Sequence, residues 1–290
     1  MSDEEIVKTV GQVSELGTTV MNRISGAIGA VFEPYQIRRI AHAGADARRI
    51  LAQGEVDATD ILVRAQFRRD WEAIRHQEAI EDVVHKALPH ITDGARPEQV
   101  EDDWLIRFFG IVEDITDDQM RTVWSKILAG EFNSPRNFSR RTLSIAAELD
   151  KSDLILSTTI CGFSVVGETG GFAPVILEAH MPIYENAGLN YLGLKEMAGV
   201  GLINYDGRDG FATNIPKKNW TFKYFGELID IEFTGEPPYK MGMGSVMMTV
   251  AGKELQRICT PELVPEFPKF LKALWTHSDP PRIVTLPWRD

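Results

Sequence analysis

Three arginines and two serine hydroxyls lie close together in the loop Asn133–Arg141. Guanidinium groups bind phosphate and carboxylate groups through paired hydrogen bonds, and the N-terminus of a following helix adds backbone N–H donors. The candidate anion-binding residues are therefore Arg136, Ser139, Arg140 and Arg141. We favour a competing structural interpretation, in which the arginines pair with acids of the surrounding helices: Glu131, Asp117, Asp118 or Glu148.

A second candidate segment alternates lysines with aromatic residues near position 220. Lysines neutralise phosphates and aromatic rings stack on bases, so this pattern is typical of single-stranded nucleic-acid binding. The candidate residues are Lys217, Lys218, Trp220, Lys223 and Tyr224. The surrounding region is nearly balanced in charge, and the whole chain carries a net charge of −11. Contact with a protein therefore fits this segment better than nucleic-acid binding.

Local catalytic and metal-binding motifs are missing. Gly162–Gly167 misses the Gly-x-Ser-x-Gly spacing of a nucleophile elbow by one residue, and it reads as helix. Gly167–Gly171 lacks the Lys-Ser/Thr pair of a Walker loop. Glu178 and His180 fit one strand face, but such a lone pair is usually structural. We predict no catalytic residue, no metal and no cofactor, and we lean against an enzyme; sites built from distant residues leave no local pattern.

The composition is that of a globular protein, with 43% hydrophobic and 25% charged residues among 290. Cys161 and Cys259 are far apart in sequence and lack C-x-x-C spacing, which indicates a reducing compartment and no disulfide framework. The acidic N-terminus does not resemble a secretory signal, and no apolar run of about 18 residues occurs. We expect a cytoplasmic protein, with peripheral attachment to the inner membrane as an alternative.

An apolar stripe at three- and four-residue spacing predicts a helix within residues 5–33. The stripe contains the candidate contact residues Val20, Ile24, Ile28, Val31 and Phe32. Two interpretations stay open. We favour close packing on a partner helix, because the lysine-rich polar face that is usual in lipid-bound helices is absent. A helix lying on a membrane surface is the alternative.

Residues 36–88 contain no proline and predict a long helical arm, or two or three shorter helices broken at Gly44 and Gly54. An intermittent apolar seam is flanked there by arginine pairs and acids, which is typical of a coiled-coil flank. We therefore expect a homo-oligomer formed through the N-terminal helices, with a protein partner as a further expectation.

The centre of the chain predicts amphipathic helices. Thr116 and Gln119 fit a capping box at the start of one helix, and Gly130 fits its end. Farther on, Gly201-Leu202-Ile203 and Thr249-x-x-Gly252 resemble the layout of a winged helix. We predict a mostly α fold in three domains: an extended N-terminal helical arm (1–90), a central helical bundle (91–167) and a C-terminal winged-helix-like α+β domain (168–290).

The central segment also carries a recognisable set of motifs: Asp102-Asp103-Trp104, Phe108-Phe109, Trp124–Glu131, and Pro135 with Phe138–Leu143. In these it resembles an uncharacterised bacterial family, domain of unknown function twenty-eight-oh-six, specifically over residues 20–165. Arg136 occupies a position that is often glycine in that family. The resemblance implies no established activity. It implies a layout similar to abortive-infection proteins, and hence the hypothesis of a role in bacterial defence against phage.

The leading expectation is a non-enzymatic, oligomerising interaction or scaffold protein. A first alternative is a nucleic-acid or nucleotide sensor that uses the arginine loop and the winged-helix-like domain. A second alternative is a peripheral membrane effector that uses the N-terminal amphipathic helix.

Overall fold

The structure is a computed structural model, and it describes residues 15–29, 61–277 and 282–286. The chain divides into two compact units, Met1–Leu143 and Ser144–Asp290. Helices predominate among the described residues and small antiparallel sheets accompany them, so the fold is mixed α+β. The division into three domains with boundaries near residues 90 and 167 stays a prediction.

The described part of the first unit is helical. It contains α1 (Glu15–Ile28), α2 (Ile61–Ala87), α3 (Asp102–Val112), α4 (Asp118–Asn133) and the start of α5 (Arg140–Ala147). Two 3₁₀ turns, Leu88–His90 and Pro97–Gln99, lie between α2 and α3. The predicted arm from residue 36 to residue 60, with its break points Gly44 and Gly54, lies outside the described residues. Val31 and Phe32 also lie outside them.

The core of the first unit forms where the second half of α2 packs on α4 and α3. The buried side chains of α2 recur at helical spacing: Ala79, Ile80, Val83, Val84 and Ala87. Trp104 stacks on Phe108 with ring centroids 5.0 Å apart, and Trp124 meets Phe108 edge-on at 5.4 Å. The predicted apolar stripes of α3 and α4 are therefore the faces that are buried.

The ends of α4 differ from the prediction. Asp117, not Thr116, caps the helix, since its Oδ1 accepts the N–H groups of Gln119 and Met120 at 3.1 and 3.0 Å. Gly130 does not end α4, which continues to Asn133. A Cβ at Gly130 would lie 2.8 Å from the Phe138 ring, so this glycine serves close packing inside the helix.

The second unit combines helices with short strands. Its helices are α6 (Lys151–Gly162), α7 (Pro182–Glu185), α8 (Tyr191–Gly199), α9 (Val250–Leu255) and α10 (Phe267–Thr276), with a 3₁₀ turn at Gln256–Ile258. Its strands are β1 (Ser164–Gly167), β2 (Phe172–Pro174), β3 (Ile203–Tyr205), β4 (Phe211–Ile215), β5 (Asn219–Tyr224), β6 (Glu227–Phe233), β7 (Tyr239–Gly244), β8 (Val246–Met248) and β9 (Arg282–Thr285).

The strands form one larger sheet and two small ones. The larger sheet has the order β2-β1-β5-β6-β9, while β3 pairs with β8 and β4 with β7, all antiparallel. The helical interpretation of Gly162–Gly167 was wrong, because α6 ends at Gly162 and Ser164–Gly167 is strand β1. A short apolar run does not distinguish a buried strand from a buried helix.

The predicted Gly-Leu-Ile and Thr-x-x-Gly segments meet in the second unit. Thr249 caps α9, and its hydroxyl lies 2.7 Å from the carbonyl oxygen of Gly201. A Cβ at Gly252 would collide with the carbonyl of Leu202. Between β3 and β8 the chain forms two strand pairs, β4 with β7 and β5 with β6.

Among the helices of the described ranges, none has both the length and the apolar character that crossing a bilayer requires.

Candidate functional site

The arginine loop of the first unit is organised around the buried carboxylate of Glu131. This residue is 2% exposed. Its Oε1 accepts the backbone N–H of Arg136 at 2.6 Å, and its Oε2 accepts the N–H of Phe138 at 2.9 Å. Arg136 adopts a left-handed backbone conformation with φ of 71°, which glycine adopts more easily. The loop N–H groups that face this carboxylate therefore already bind an anion, and that anion is part of the protein.

The guanidinium groups of the loop pair with the start of α3. Arg136 lies 3.6 Å from Glu101, and Arg140 lies 3.2 Å from Asp103. Between these acids, Asp102 pairs with Arg23 of α1. Three consecutive acids thus each bind an arginine, two of them from the loop and one from α1. The predicted pairing of the loop arginines with acids is found for Arg136 and Arg140, whose partners Glu101 and Asp103 are not among the four acids that the prediction named.

These pairs leave the loop arginines accessible. The Arg136 and Arg140 side chains are 84% and 61% exposed, so each pair contributes little to stability. Arg141 is also exposed. Ser139 serves the fold, since its Oγ accepts the N–H of Thr142 at 3.2 Å at the start of α5. Binding of an external anion by this loop stays a prediction.

The two aromatic rings among the candidate residues of the lysine–aromatic segment are buried. Trp220 and Tyr224 are 7% and 1% exposed, because alternate residues of β5 face the core. Lys217 pairs with Glu168 and lies 5.6 Å from the centroid of the Trp220 ring. Lys218 pairs with Glu232 at 2.9 Å, while Lys223 is exposed. Trp220 and Tyr224 are therefore not placed to stack on bases, whereas nucleic-acid binding by the lysines stays a prediction.

Tyr224 has a structural role in the second unit. Its hydroxyl donates to the carbonyl of Gly162 at 3.0 Å and accepts the N–H of Val264 at 2.9 Å. Burial raises the pKa of Tyr224 above its ordinary value. The side chain therefore joins the end of α6 to the segment that precedes α10.

The candidate contact residues of α1 face the protein. Val20 and Ile24 are buried where α1 packs on α3 and the Pro97–Gln99 turn, and Ile28 is half-buried. A lipid surface would reach Val20 and Ile24 only if α1 left this position. Within the first unit, α1 thus packs on another helix, as the packing interpretation expects.

Helix α2 exposes apolar side chains along its first half. Phe67 and Trp71 are 41% and 36% exposed and lie four residues apart, on one face. Ile61 at the start of the helix is also exposed. Phe67 and Trp71 together are called the α2 patch below. The sequence predicted the helix and its seam, but not which half of the helix would be buried.

A groove of about 640 Å³ opens on the second unit. Its lining includes the His180–Glu178 pair, whose Nε2 and Oε2 are 2.9 Å apart, and the rings of Tyr191 and Tyr205, whose centroids are 5.9 Å apart. Lys195 lies 5.4 Å from the Tyr205 centroid. The sequence reveals the His–Glu pair. It does not reveal the tyrosine pair, because one tyrosine lies in α8 and the other in β3, and only the fold brings them together.

The groove contains groups for hydrogen bonding and aromatic contact. Burial raises the pKa of Tyr205 above its ordinary value. No trio of His, Cys, Asp or Glu placed to hold a metal ion occurs within the ranges that the structure describes.

The fold and these sites together define a mixed α+β protein with a helical first unit and a groove-bearing second unit. The model of the family described as "Protein of unknown function (DUF2806)" matches residues 63–272, and the chain belongs to this family. The family resemblance of the central motifs is thereby confirmed. Comparisons with curated proteins and with solved structures found no match.

Proposed function

We propose that this protein is a non-enzymatic, self-associating interaction protein, and that α2 carries the contact between copies. The observation that carries the proposal is the change of burial along this one helix. From Ala79 to Ala87 its apolar residues are buried in the first unit, whereas Phe67 and Trp71 are exposed. Removing apolar surface from water is favourable by about 25 cal/mol per Å², so an exposed apolar patch favours a partner.

The α2 patch does not lie on the core-facing side of the helix. At helical spacing the stripe that contains Phe67 and Trp71 continues through Ile74 and Glu78, and not through the buried Ile80 and Val83. The apolar residues of the patch are therefore not an extension of the buried seam. They form a separate face that another helix fits.

Charge complementarity favours a second copy of this chain as the occupant. The first half of α2 (61–74) carries Arg64, Arg68 and Arg69 against Asp70 and Glu72, a net charge of +1. The second half (75–87) carries Glu78, Glu81 and Asp82 against Arg75 and Lys86, a net charge of −1. In an antiparallel pair of α2 helices, the basic half of each copy lies beside the acidic half of the other. Such pairing also gives the closed two-fold symmetry that is most common in homodimers.

Sedimentation equilibrium of the full chain at micromolar concentration tests the proposal. We expect the wild type to be an oligomer and the double variant Phe67→Glu/Trp71→Glu to be monomeric, with a dissociation constant raised at least about tenfold. Ala73→Glu is the matched control, because Ala73 is exposed on another face of the same helix. This control introduces a charge without touching the patch, so it should associate as the wild type does.

A charge reversal tests the orientation. In an antiparallel pair centred on Trp71, Arg64 lies beside Glu78 of the other copy. Arg64→Glu should weaken association, and Arg64→Glu combined with Glu78→Arg should restore it. A wild type that is monomeric at micromolar concentration would overturn the self-association proposal. Failure of the rescue alone would overturn the antiparallel arrangement.

The coiled-coil, helical-bundle and winged-helix assignments are also part of the proposal. We propose that α2 extends the coiled-coil character expected of the arm, and that α2, α3 and α4 form a helical bundle. A winged-helix-like arrangement in the second unit is supported by α8, by the pairing of β3 with β8 and by the Thr249 cap.

A role in bacterial anti-phage defence rests on the resemblance to the layout of abortive-infection proteins alone. Of the alternatives, a nucleic-acid or nucleotide sensor is supported by the exposed Arg136 and Arg140. Loss of nucleic-acid binding in Arg140→Glu, with the fold intact, would favour that sensor. A peripheral membrane effector at the inner membrane is supported only by the amphipathic character of α1. Self-association through α2 is the function that we propose first.

A further inference from the structure

The two cysteines of the chain are neighbours in the fold, although 97 residues separate them in sequence. The side chains of Cys161 and Cys259 form a hydrogen bond with each other. Both are reduced. Their separation in sequence predicted no disulfide framework, and the structure nevertheless brings the two free cysteines close to each other.

The surrounding structure holds this pair together. Cys161 lies in the last turn of α6, and Cys259 follows the Gln256–Ile258 turn, which packs on α6. A Cβ at Gly162 would lie 3.1 Å from the carbonyl of Glu262, so the two chain segments touch here. The Tyr224 hydroxyl bridges Gly162 and Val264 nearby. The sulfur atoms are therefore brought together by contacts that do not depend on the cysteines themselves.

The two thiols differ in access. Cys161 is 3% exposed, whereas Cys259 is half-buried. The hydrogen bond to Cys259, together with burial, raises the pKa of the Cys161 thiol well above its ordinary value. Because the thiolate is the reactive form, a reagent from solvent meets Cys259 first, and Cys161 stays protonated until its neighbour has reacted.

We propose that Cys161 and Cys259 are a reversible disulfide site whose oxidant is hydrogen peroxide. The Cys259 sulfur attacks one peroxide oxygen, the O–O bond breaks, and the second oxygen leaves as water with the thiol proton. The product is a sulfenic acid at Cys259. The Cys161 sulfur then attacks the sulfenic sulfur, the S–O bond breaks, and a second water leaves with the Cys161 proton. Two thiols lose two electrons in total, and one peroxide becomes two waters.

The disulfide would close a loop that contains the groove and strands β1 to β8. Cross-linking a loop of this length restricts the unfolded chain, so the oxidised protein should be the more stable form. For a unit of this size we expect the melting temperature to rise on the order of 10 °C. The cross-link would also fix the end of α6 to the segment before α10.

Mass spectrometry of the full chain tests the site. The protein is reduced, freed of reductant without air, and treated with hydrogen peroxide at low stoichiometry. We expect a monomeric product lighter by two hydrogens, in which one cross-linked peptide contains both cysteines. Dithiothreitol should restore the original mass and the original melting temperature.

Two variants separate the roles of the thiols. In Cys161→Ala, oxidation should stop at the Cys259 sulfenic acid, which dimedone labels. In Cys259→Ser, the buried Cys161 should stay unoxidised. Circular dichroism of the reduced variants controls for folding, and the wild-type product decides the question if either variant does not fold. A wild type that keeps both thiols, that cross-links between chains, or that accumulates as much dimedone adduct as Cys161→Ala would overturn the proposal.

Discussion

The carboxylate of Glu131 holds the backbone N–H of Phe138 at 2.9 Å inside the first unit. The carbonyl of Phe138 in turn accepts the indole N–H of Trp104 at 2.7 Å. The Phe138 ring packs on Gly130. One residue of the arginine loop is thus fixed through its N–H, its carbonyl and its side chain. The loop is a rigid part of the helical unit, and its exposed arginines project from an ordered backbone.

Removing the Glu131 carboxylate should destabilise the first unit. Glu131→Ala leaves two N–H groups without their acceptor, and we expect the free energy of unfolding to fall by about 2–4 kcal/mol. Glu131→Gln keeps an acceptor oxygen and should lose less. Urea unfolding measures both. Glu148→Ala is the control because Glu148 is exposed, and it should change little. Equal losses in all three variants would contradict the proposed role of Glu131.

The left-handed conformation of Arg136 gives a second prediction. Because glycine adopts positive φ without steric cost, Arg136→Gly should be neutral or slightly stabilising. Arg136→Val places a β-branched side chain in the same conformation, and it should cost about 1–3 kcal/mol. Thermal unfolding of the two variants side by side measures the difference. Equal stability of both variants would mean that the loop adjusts its backbone.

A methyl group at Gly252 should be poorly tolerated. The added Cβ would collide with the carbonyl of Leu202, so Gly252→Ala should lower the free energy of unfolding by about 1–3 kcal/mol. Gly199→Ala is the matched control, since Gly199 lies in α8 with open space around its Cα. That substitution should change stability by less than about 1 kcal/mol. Chemical denaturation followed by tryptophan fluorescence distinguishes the two.

The cap of α6 should make stability depend on pH. Asp150 accepts the Ser152 hydroxyl at 2.6 Å and the N–H of Asp153 at 3.1 Å, and these bonds lower the pKa of the Asp150 carboxyl. A lowered folded-state pKa contributes stability above the ordinary value of the unfolded chain. That contribution is lost as the pH falls below about 4 and through the folded value.

Asp150→Asn keeps a capping oxygen but does not titrate. As the pH falls from 6 to 3, the melting temperature of the wild type should therefore decrease more than that of Asp150→Asn. Ser152→Ala removes the largest cause of the pKa shift and should reduce this dependence. Differential scanning calorimetry at several pH values gives the comparison. A constant difference between the wild type and Asp150→Asn would refute the assignment.

Elements with strong local signals were predictable from the sequence. The stripes of α3 and α4 follow from periodicity, and the Thr249 cap follows from the threonine–glycine spacing. The Asp117 cap was missed by one residue, because neighbouring Thr116 satisfies the same pattern. Strand β1 was read as helix, since its four residues show no period and its partners β2 and β5 come later in the chain.

Features built by long-range topology were not predictable in this way. The two N–H donors on Glu131 come from a loop whose path local spacing does not fix. Cys161 and Cys259 meet only because α6 packs on a turn that follows eight strands. The groove needs Tyr191 from α8 and Tyr205 from β3. Local patterns therefore revealed the helices, whereas the sites depend on how distant segments meet.

The Tyr224 hydroxyl has a kinetic consequence. Its bonding partners are 62 and 40 residues away in sequence, so both distant segments must have docked before the two bonds exist. The cost of closing such long loops places these bonds late in folding. We expect Tyr224→Phe to accelerate unfolding in stopped-flow experiments while the refolding rate stays nearly constant. A single phenol oxygen would thus govern how long the second unit survives once formed.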